Sequence, residues 1–257
     1  MTPFYPNLLP LNRLYSANVR ATDIVLRFIE QQLEAGELQV GMRLPGERGL
    51  AEQLNVSRGS VREALQVLAA MGVVRRSVGS GQEAGAILIA EPAAPLDAAL
   101  RLHVATRAFP VAHVVETRVL LESWAVSRAA LADAPLDEVR ALLEKMDAPD
   151  IDVREFLRLD AELHVAIAAL SGNAVVAQMM TSLRSSIENY VVAAIPRVTD
   201  WPSLLDKLRR EHHTVVDAIA RCSPDEATAA VTRHIHEFYE HSGLSSPVDE
   251  AAREGRA

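Results

Sequence analysis

The sequence from residue 97 to residue 241 repeats apolar residues at the spacing of an α-helix and contains almost no strand pattern. Short breaks with Pro, Gly or Asp divide it into roughly seven helical segments, near 97–108, 112–132, 136–146, 152–170, 174–195, 203–221 and 224–241. Helices with one apolar face bury that face against other helices. This part of the chain is therefore predicted to form an all-α bundle.

Polar side chains interrupt the apolar face of three of these helices. Asp160 and His164 project from the edge of the apolar arc in the fourth helix. His212 falls within the arc of the sixth helix, whereas the neighbouring His213 points roughly the opposite way. His234 falls within the arc of the last helix. Inward carboxylates and imidazoles cost free energy unless each is paired, hydrogen-bonded or bound to a metal.

A single inward histidine is more often hydrogen-bonded than metal-bound. Three of them with an aspartate favour a metal site made of Asp160, His164, His212 and His234. Three imidazoles and one carboxylate suit zinc, and also nickel, iron or manganese, with positions left for water or an anion. The ligand types alone do not choose among these metals.

The first third of the chain differs from the rest in charge. Residues 17–80 hold eight Arg, no Lys and seven Asp or Glu, whereas the whole chain has a formal net charge of -8. We therefore expect any nucleic-acid surface to lie in this third.

The pattern in this third predicts a helix-turn-helix with a wing. Helices are expected near 18–35, 47–54 and 58–70, followed by two β-prone runs, "VVRRSV" and "AILIA", around the glycine-rich "GSGQEAG".

Five residues of this region are candidates for DNA contact. Arg58, Ser60 and Arg62 lie in the first turns of the second helix of the motif, which enters the major groove in such domains. Arg48 begins the preceding helix, and Gly79 at the wing tip lets the backbone approach the nucleic acid. The alternative is that these arginines only solvate a small helical domain.

The prolines of "AEPAAPLD" (90–97) mark the predicted domain boundary. We expect a winged helix in residues 17–91 and an all-helical domain in 95–243, with disordered tails at 1–16 and 244–257. The single cysteine, Cys222, rules out an internal disulfide, and no early segment has the pattern of a signal or membrane anchor. These features predict a soluble, cytoplasmic protein of mainly α fold with no membrane partner.

The stretch "RLPGERGLAEQLNVSRGSVREALQVLAAMGVV" resembles the winged-helix transcription factors of the GntR type, and the resemblance covers residues 20–90. It implies binding to a palindromic operator as a homodimer, with the five candidate residues at or near the family's DNA contacts. Gly59 replaces the usual Thr or Ser, and Asn55 replaces the usual Gly, although Asn also tolerates a left-handed turn.

The segments "VVETRVLLESWAV", "FLRLDAELHVAIAALSGN" and "EHHTVVDAIARCSPDEATAAVTRHI" resemble the helical effector domain of FadR-like GntR regulators over residues 95–241. The resemblance implies a divalent metal held by the Asp and three His named above, with a small carboxylate completing its coordination. Leu163 replaces the usual Phe before the second ligand.

The stretches "GSGQEAGAILIA", "ETRVLLESWA", "LLEKMDAPD" and "FLRLDAELHV" are similar to lactate-responsive members of this subfamily. The resemblance implies a repressor released by a 2-hydroxy acid such as L-lactate, which can chelate a metal through its carboxylate and hydroxyl. Arg118 is the candidate that neutralises the carboxylate, and Arg184 is a weaker one. The alternative for Arg118 is a salt bridge to Glu122, one helical turn away.

Two other functions compete with this interpretation. A metal-dependent hydrolase would need a general base, but the four ligands leave no evident one and no HExxH helix occurs. We therefore expect no enzyme activity. A DNA-binding protein whose metal is purely structural, with no small-molecule sensing, is the second alternative.

Overall fold

The computed structural model describes residues 17–77, 85–195, 198 and 200–242. The chain divides into two compact units, residues 1–95 and 96–257. Within the described residues, no helix has both the length and the apolar character that a membrane span needs. The predicted tails at 1–16 and 244–257 and the wing residue Gly79 lie outside the described residues.

The first unit has three helices and a two-stranded antiparallel sheet in its described part. The strands pair from Val74↔Leu88 to Ser77↔Gly85. The elements are α1 (Ala17–Glu34), α2 (Glu47–Leu54), α3 (Arg58–Ala70), β1 (Val74–Ser77) and β2 (Gly85–Leu88). The helix bounds agree with the sequence prediction because the apolar spacing and the turn residues indicate the same ends.

The turn between α2 and α3 depends on two side chains. Asn55 adopts the left-handed conformation, with φ 51° and ψ 45°, which Asn tolerates better than most residues. Ser57 caps α3, because its Oγ accepts a hydrogen bond from the amide of Ser60 at 3.0 Å. These two features fix the direction in which α3 leaves the turn.

The backbone is tightly packed where α3 leads into β1. Gly72 has φ +69°, and a Cβ at this position would overlap the carbonyl oxygen of Glu91. The amide of Glu91 also donates to the carbonyl of Gly72 at 3.0 Å. Only glycine fits this conformation and this close approach.

The remaining helices form the bundle that the sequence predicts. Seven helices occur in the described part of residues 93–242: α4 (Ala93–Ala105), α5 (Val111–Ala132), α6 (Asp137–Met146), α7 (Val153–Leu170), α8 (Ala174–Ala194), α9 (Trp201–Ala220) and α10 (Pro224–Ser242). The start of α4 is a correction, because it begins inside the segment 90–97, which was predicted to interrupt the helical pattern. Pro95 lies in the first turn, where a helix has no hydrogen bond to lose.

Side-chain caps set the start of two of the three helices that carry the inward polar groups, α7 and α9. Asp152 accepts hydrogen bonds from the amides of Arg154 at 3.0 Å and Glu155 at 3.4 Å, so α7 begins at Val153. Asp200 accepts from the amide of Ser203 at 3.1 Å at the start of α9. With the starts fixed in this way, the apolar faces of α7, α9 and α10 pack into one core.

Candidate functional site

The candidate DNA-contact arginines lie on the surface of the first unit. The side chains of Arg48 and Arg62 are 74% and 57% exposed. Arg58 is exposed and has no hydrogen-bond or ion-pair partner among the described residues. Arg62 donates to Glu47 at 3.1 Å, and Arg76 of β1 donates to the same carboxylate at 3.4 Å. Glu47 therefore orients one guanidinium from α3 beside another from the wing.

Ser60 differs from the three candidate arginines. Its side chain is buried, with 1% of its surface exposed, and its Oγ lies 2.9 Å from the Oγ of Ser57. A direct contact with DNA needs an exposed hydroxyl, so this position does not fit the predicted role. The reason is the N-terminal turn of α3, which directs Ser60 toward the cap and the core. Gly79 lies outside the described residues.

In the second unit, the four predicted ligands converge. Asp160 and His164 come from α7, His212 from α9 and His234 from α10, and one donor atom of each lies within 4.8 Å of the others. The Nε2 atoms of His164 and His234 are 3.2 Å apart, and the Nε2 of His212 lies 3.0 Å from Oδ1 of Asp160. The site thus presents three ring nitrogens and one carboxylate oxygen to one point.

Two further carboxylates hold the outer nitrogens of this cluster. Glu122 of α5 contacts Nδ1 of His164, and Glu211 of α9 lies 2.8 Å from Nδ1 of His234. A carboxylate at Nδ1 places a proton there and directs the Nε2 lone pair toward the cluster. Both rings therefore have the tautomer and orientation that a metal ligand needs.

The ring of His212 lacks the hydrogen-bond partners that a buried imidazole needs. It is buried, with 2% of its surface exposed, and neither ring nitrogen has a hydrogen-bond partner in the described part of the chain. The 3.0 Å approach to Asp160 is not aligned as a hydrogen bond. Burial and the nearby His234 lower the pKa of His212 to about 3, so its ring is neutral at physiological pH. A buried neutral ring without a partner fits a metal at Nε2.

The charges around the cluster favour ligation by Asp160 but oppose it at His164. Burial disfavours the ionised form of Asp160, but Arg184 and His164 outweigh it and hold the pKa of this carboxyl well below its usual value. Burial likewise opposes the charged form of His164, but Glu122 and Asp160 together outweigh it and raise the pKa of the ring. A metal at Nε2 of His164 would displace the proton held there.

Helical phase predicted the orientation of the adjacent histidines correctly. The side chain of His213 is 46% exposed, and its Nε2 lies 2.8 Å from a carboxylate oxygen of Asp147. His212, one residue earlier, packs in the core against Phe156, with ring centroids 6.1 Å apart. The two rings thus leave α9 in different directions, and of the two only His212 reaches the cluster.

A cavity of about 600 Å³ adjoins the cluster. Asp160 and His234 form part of its wall, and the guanidinium-bearing residues Arg118 and Arg184 form another part. Apolar side chains from α7, α8 and α10 line much of the rest, including Leu157, Val165, Ala169, Val191, Ile235 and Phe238. Acidic side chains also take part in the lining, among them Glu138, Glu162 and Glu188. The cavity therefore combines an apolar lining with basic groups beside the cluster, which is typical of a small-molecule site.

Both arginines already have partners. Arg118 is 3% exposed, and it donates to Glu122 at 2.8 Å and to the hydroxyl of Tyr239 at 2.7 Å. Burial disfavours its charge, but Glu122 and Tyr239 raise the pKa of Arg118. The salt bridge that was the alternative for Arg118 is therefore present. Arg184 donates to Oδ2 of Asp160, whereas Oδ1 is the oxygen that lies 3.0 Å from Nε2 of His212.

Comparisons with known proteins cover both units. The family described as "Bacterial regulatory proteins, gntR family" matches residues 22–83, and the family described as "FCD domain" matches residues 113–237. The HTH-type transcriptional repressor NanR of Enterobacter sp. (strain 638) is 29% identical over 235 residues, which are 88% of this chain and 86% of that protein.

Two further proteins match this chain over a similar share of its length. The putative L-lactate dehydrogenase operon regulatory protein of Escherichia coli (strain K12) is 28% identical over 255 residues, covering 92% of this chain and 91% of that protein. A solved structure of Streptococcus agalactiae GntR is 26% identical with a TM-score of 0.55, covering 86% of this chain and 99% of that one.

Proposed function

This chain belongs to the gntR family of bacterial regulatory proteins, with an FCD domain after its DNA-binding domain, and we propose that a small carboxylate bound at a metal centre changes its affinity for an operator. The observation that carries the proposal is the cavity that adjoins the His/Asp cluster, the buried Arg118 and the part-buried Arg184. We assign DNA binding to residues 17–91, and metal binding, sensing and dimerisation to residues 95–243. The matched families and relatives are regulators, and the chain is not an enzyme.

The cluster fits a divalent metal. Oδ1 of Asp160 and the Nε2 atoms of His164, His212 and His234 would hold it, and zinc suits this donor set, as do nickel, iron and manganese. The bound ion would act as a Lewis acid that takes a carboxylate oxygen at an open position. Glu122 and Glu211 keep the imidazoles oriented toward it.

The proposed effector is a 2-hydroxy acid such as L-lactate. Its carboxylate and hydroxyl can chelate an ion together, and the arginines beside the cluster supply positive charge. A relative named for an L-lactate dehydrogenase operon supports this class of ligand. The cavity, at about 600 Å³, also has room for a larger acid. We propose that the protein represses as a homodimer on a palindromic operator in the cytoplasm, and that the acid releases it.

One experiment tests sensing as a whole. Protein purified without chelator or affinity metal is analysed for native metal, and its melting temperature is then measured against a panel of hydroxy and dicarboxylic acids. We expect one acid to raise the melting temperature and weaken operator binding, but only in the metal-loaded protein. If every acid leaves both quantities unchanged while the metal is bound, the metal is structural and the sensing proposal fails.

Arg58→Ala and Arg62→Ala are each expected to weaken operator binding by about 1–3 kcal/mol, because both guanidinium groups are exposed at the start of α3. Fluorescence anisotropy with operator DNA measures the change. Arg221→Ala is the matched control, since Arg221 is an exposed arginine of the other unit. Unchanged affinity in both α3 variants, beside an unchanged control, would contradict the assignment of α3 as the recognition helix.

Glu211→Gln is expected to lower metal affinity by about 10–100-fold, the usual effect of removing an outer carboxylate partner of a ligand histidine. The amide keeps the size of the side chain but holds Nδ1–H of His234 less strongly. Competition with a chromophoric chelator measures the affinity. Asp217→Asn changes an exposed acid on the same helix and should match the parent. Equal affinities in the two variants would show that Glu211 does not position His234.

A further inference from the structure

Two adjacent arginines of β1 lie on opposite faces of the two-stranded sheet. Successive side chains of a strand alternate between its faces. Arg76 shares its face with two buried residues, its β2 partner Ala86 and the preceding Val74. Arg75 lies on the other face and pairs with Glu91, which follows β2. The two arginines therefore carry the same charge at neighbouring positions but have different surroundings.

Arg76 lies beyond the buried part of its face and meets the first residue of α2. Its Nη2 lies 3.4 Å from Oε1 of Glu47, while Nη2 of Arg62 lies 3.1 Å from Oε2 of the same carboxylate. The side chains of Arg76 and Arg62 are 36% and 57% exposed. The two guanidinium groups thus share one carboxylate, and both remain open to solvent.

The place of Arg76 in the motif suits a contact with a DNA phosphate. In a helix-turn-helix the second helix enters the major groove, and the first helix crosses the phosphate backbone. Glu47 begins the first of these helices, α2, and Arg62 belongs to the second, α3. A guanidinium that reaches Glu47 from β1 therefore lies beside the backbone when Arg62 is at the groove. The carboxylate alone would repel phosphates, but the two arginines leave the three side chains with a net positive charge.

We propose that Arg76 contacts a DNA phosphate and that Glu47 is a positioning residue, which holds Arg76 and Arg62 in a fixed arrangement on the duplex. The proposal rests on α3 as the recognition helix of the proposed function and extends the DNA interface to β1. A phosphate contact adds affinity without sequence information, whereas an arginine fixed in the groove distinguishes bases. Glu47 therefore links a contact that orients the domain to one that recognises sequence.

The two arginines of β1 provide a matched pair of variants. Arg76→Ala and Arg75→Ala remove the same charge from neighbouring residues, so a difference between them reports a contact and not the net charge. Arg76→Ala is expected to weaken binding about tenfold and to reduce the slope of log affinity against log salt concentration by about 1. Arg75→Ala should keep the parent's slope. Fluorescence anisotropy over a salt series measures both quantities, with a duplex that the parent selects from a random pool and with a duplex of mixed sequence.

Arg76→Lys separates a phosphate contact from a packing role. Lysine keeps the positive charge that a phosphate contact needs, so the salt slope should stay near that of the parent. A slope as low as that of Arg76→Ala would contradict the phosphate contact. Melting followed by circular dichroism establishes that each variant is folded at the temperature of the binding assay.

Glu47→Gln tests the positioning role. Loss of the negative charge strengthens attraction to any duplex, whereas a less firmly held Arg62 distinguishes bases less well. We expect the ratio of the affinities for the selected and the mixed-sequence duplex to fall about tenfold. Glu37→Gln removes the same charge from another exposed residue of the first unit and should keep the parent's ratio. An unchanged ratio in Glu47→Gln would show that Glu47 does not position the arginines.

The outcomes separate two failures. If Arg62→Ala weakens binding while Arg76→Ala and Arg75→Ala bind alike, the phosphate contact is wrong but α3 remains the recognition helix. If Arg58→Ala and Arg62→Ala leave the affinity unchanged, the recognition helix of the proposed function fails, and the inference about Arg76 fails with it.

Discussion

His212→Ala is expected to abolish stoichiometric metal binding, whereas His213→Ala is expected to keep the metal content of the parent. His212 contributes one of the four converging donor atoms, while His213 lies at the surface beside Asp147. No residue on the opposite face of α9 can replace the lost ligand unless the helix rotates and exposes its apolar side. Elemental analysis and melting temperature of the two variants, side by side, measure the contrast.

The chelator-treated proteins provide the control. Without metal, His212 is a buried ring with unpaired nitrogens. Its replacement by Ala therefore breaks no hydrogen bond of the ring, and its cost is the free energy of the cavity that it leaves. The difference in melting temperature between parent and His212→Ala should therefore be smaller in chelator than with metal added, because the ion stabilises only the protein that binds it. If His213→Ala loses the metal and His212→Ala keeps it, the helix phase is wrong.

Arg118→Ala is expected to destabilise the helical domain by about 3–5 kcal/mol, because it removes the guanidinium from the buried carboxylate of Glu122 and leaves only His164 beside it. Both side chains are only 4% exposed, so solvent screens the pair little. For a domain of this size the loss corresponds to roughly 6–20 °C in melting temperature. Chemical denaturation of the metal-free protein measures it without a contribution from the ion.

An exposed ion pair provides the comparison for Arg118. Arg158 pairs with Glu155 at the surface, where its side chain is 51% exposed, so Arg158→Ala should shift the melting temperature far less. The double variant Arg118→Ala/Glu122→Gln should recover part of the stability lost in the single variant. If Arg118→Ala instead keeps the parent's stability and loses only the response to the acid, Arg118 is an effector ligand and its salt bridge is dispensable.

The inward positions of the ligands could be predicted from the sequence because each depends only on the phase of its own helix. The apolar residues around His212 set the rotation of α9, and that rotation separates it from His213. The contacts of Glu122 with His164 and of Glu211 with His234 could not be predicted in this way. They join residues 42 and 23 positions apart, so they depend on how neighbouring helices cross.

Local chemistry explains why the structure differs from the sequence prediction at Pro95 and at Ser60. A proline stops a helix only in the helix interior, where its missing amide removes a hydrogen bond and its ring clashes with the preceding turn. Pro95 lies in the first turn of α4, so neither effect applies there. Ser60 was assigned to DNA because of its place at the start of the recognition helix. However, the first turn of a helix also faces inward, and the cap at Ser57 draws this hydroxyl toward the protein.

The close approach of Gly72 to Glu91 has a consequence for genetics. Every missense codon at position 72 adds at least a Cβ, which meets the backbone of Glu91 where the α3–β1 junction leaves no room. Alleles at this position therefore lose operator binding through loss of the folded domain, although Gly72 itself is no DNA-contact candidate. In a screen for loss of operator binding they would resemble alleles of Arg58, and only the amount of protein in the cell would tell the two groups apart.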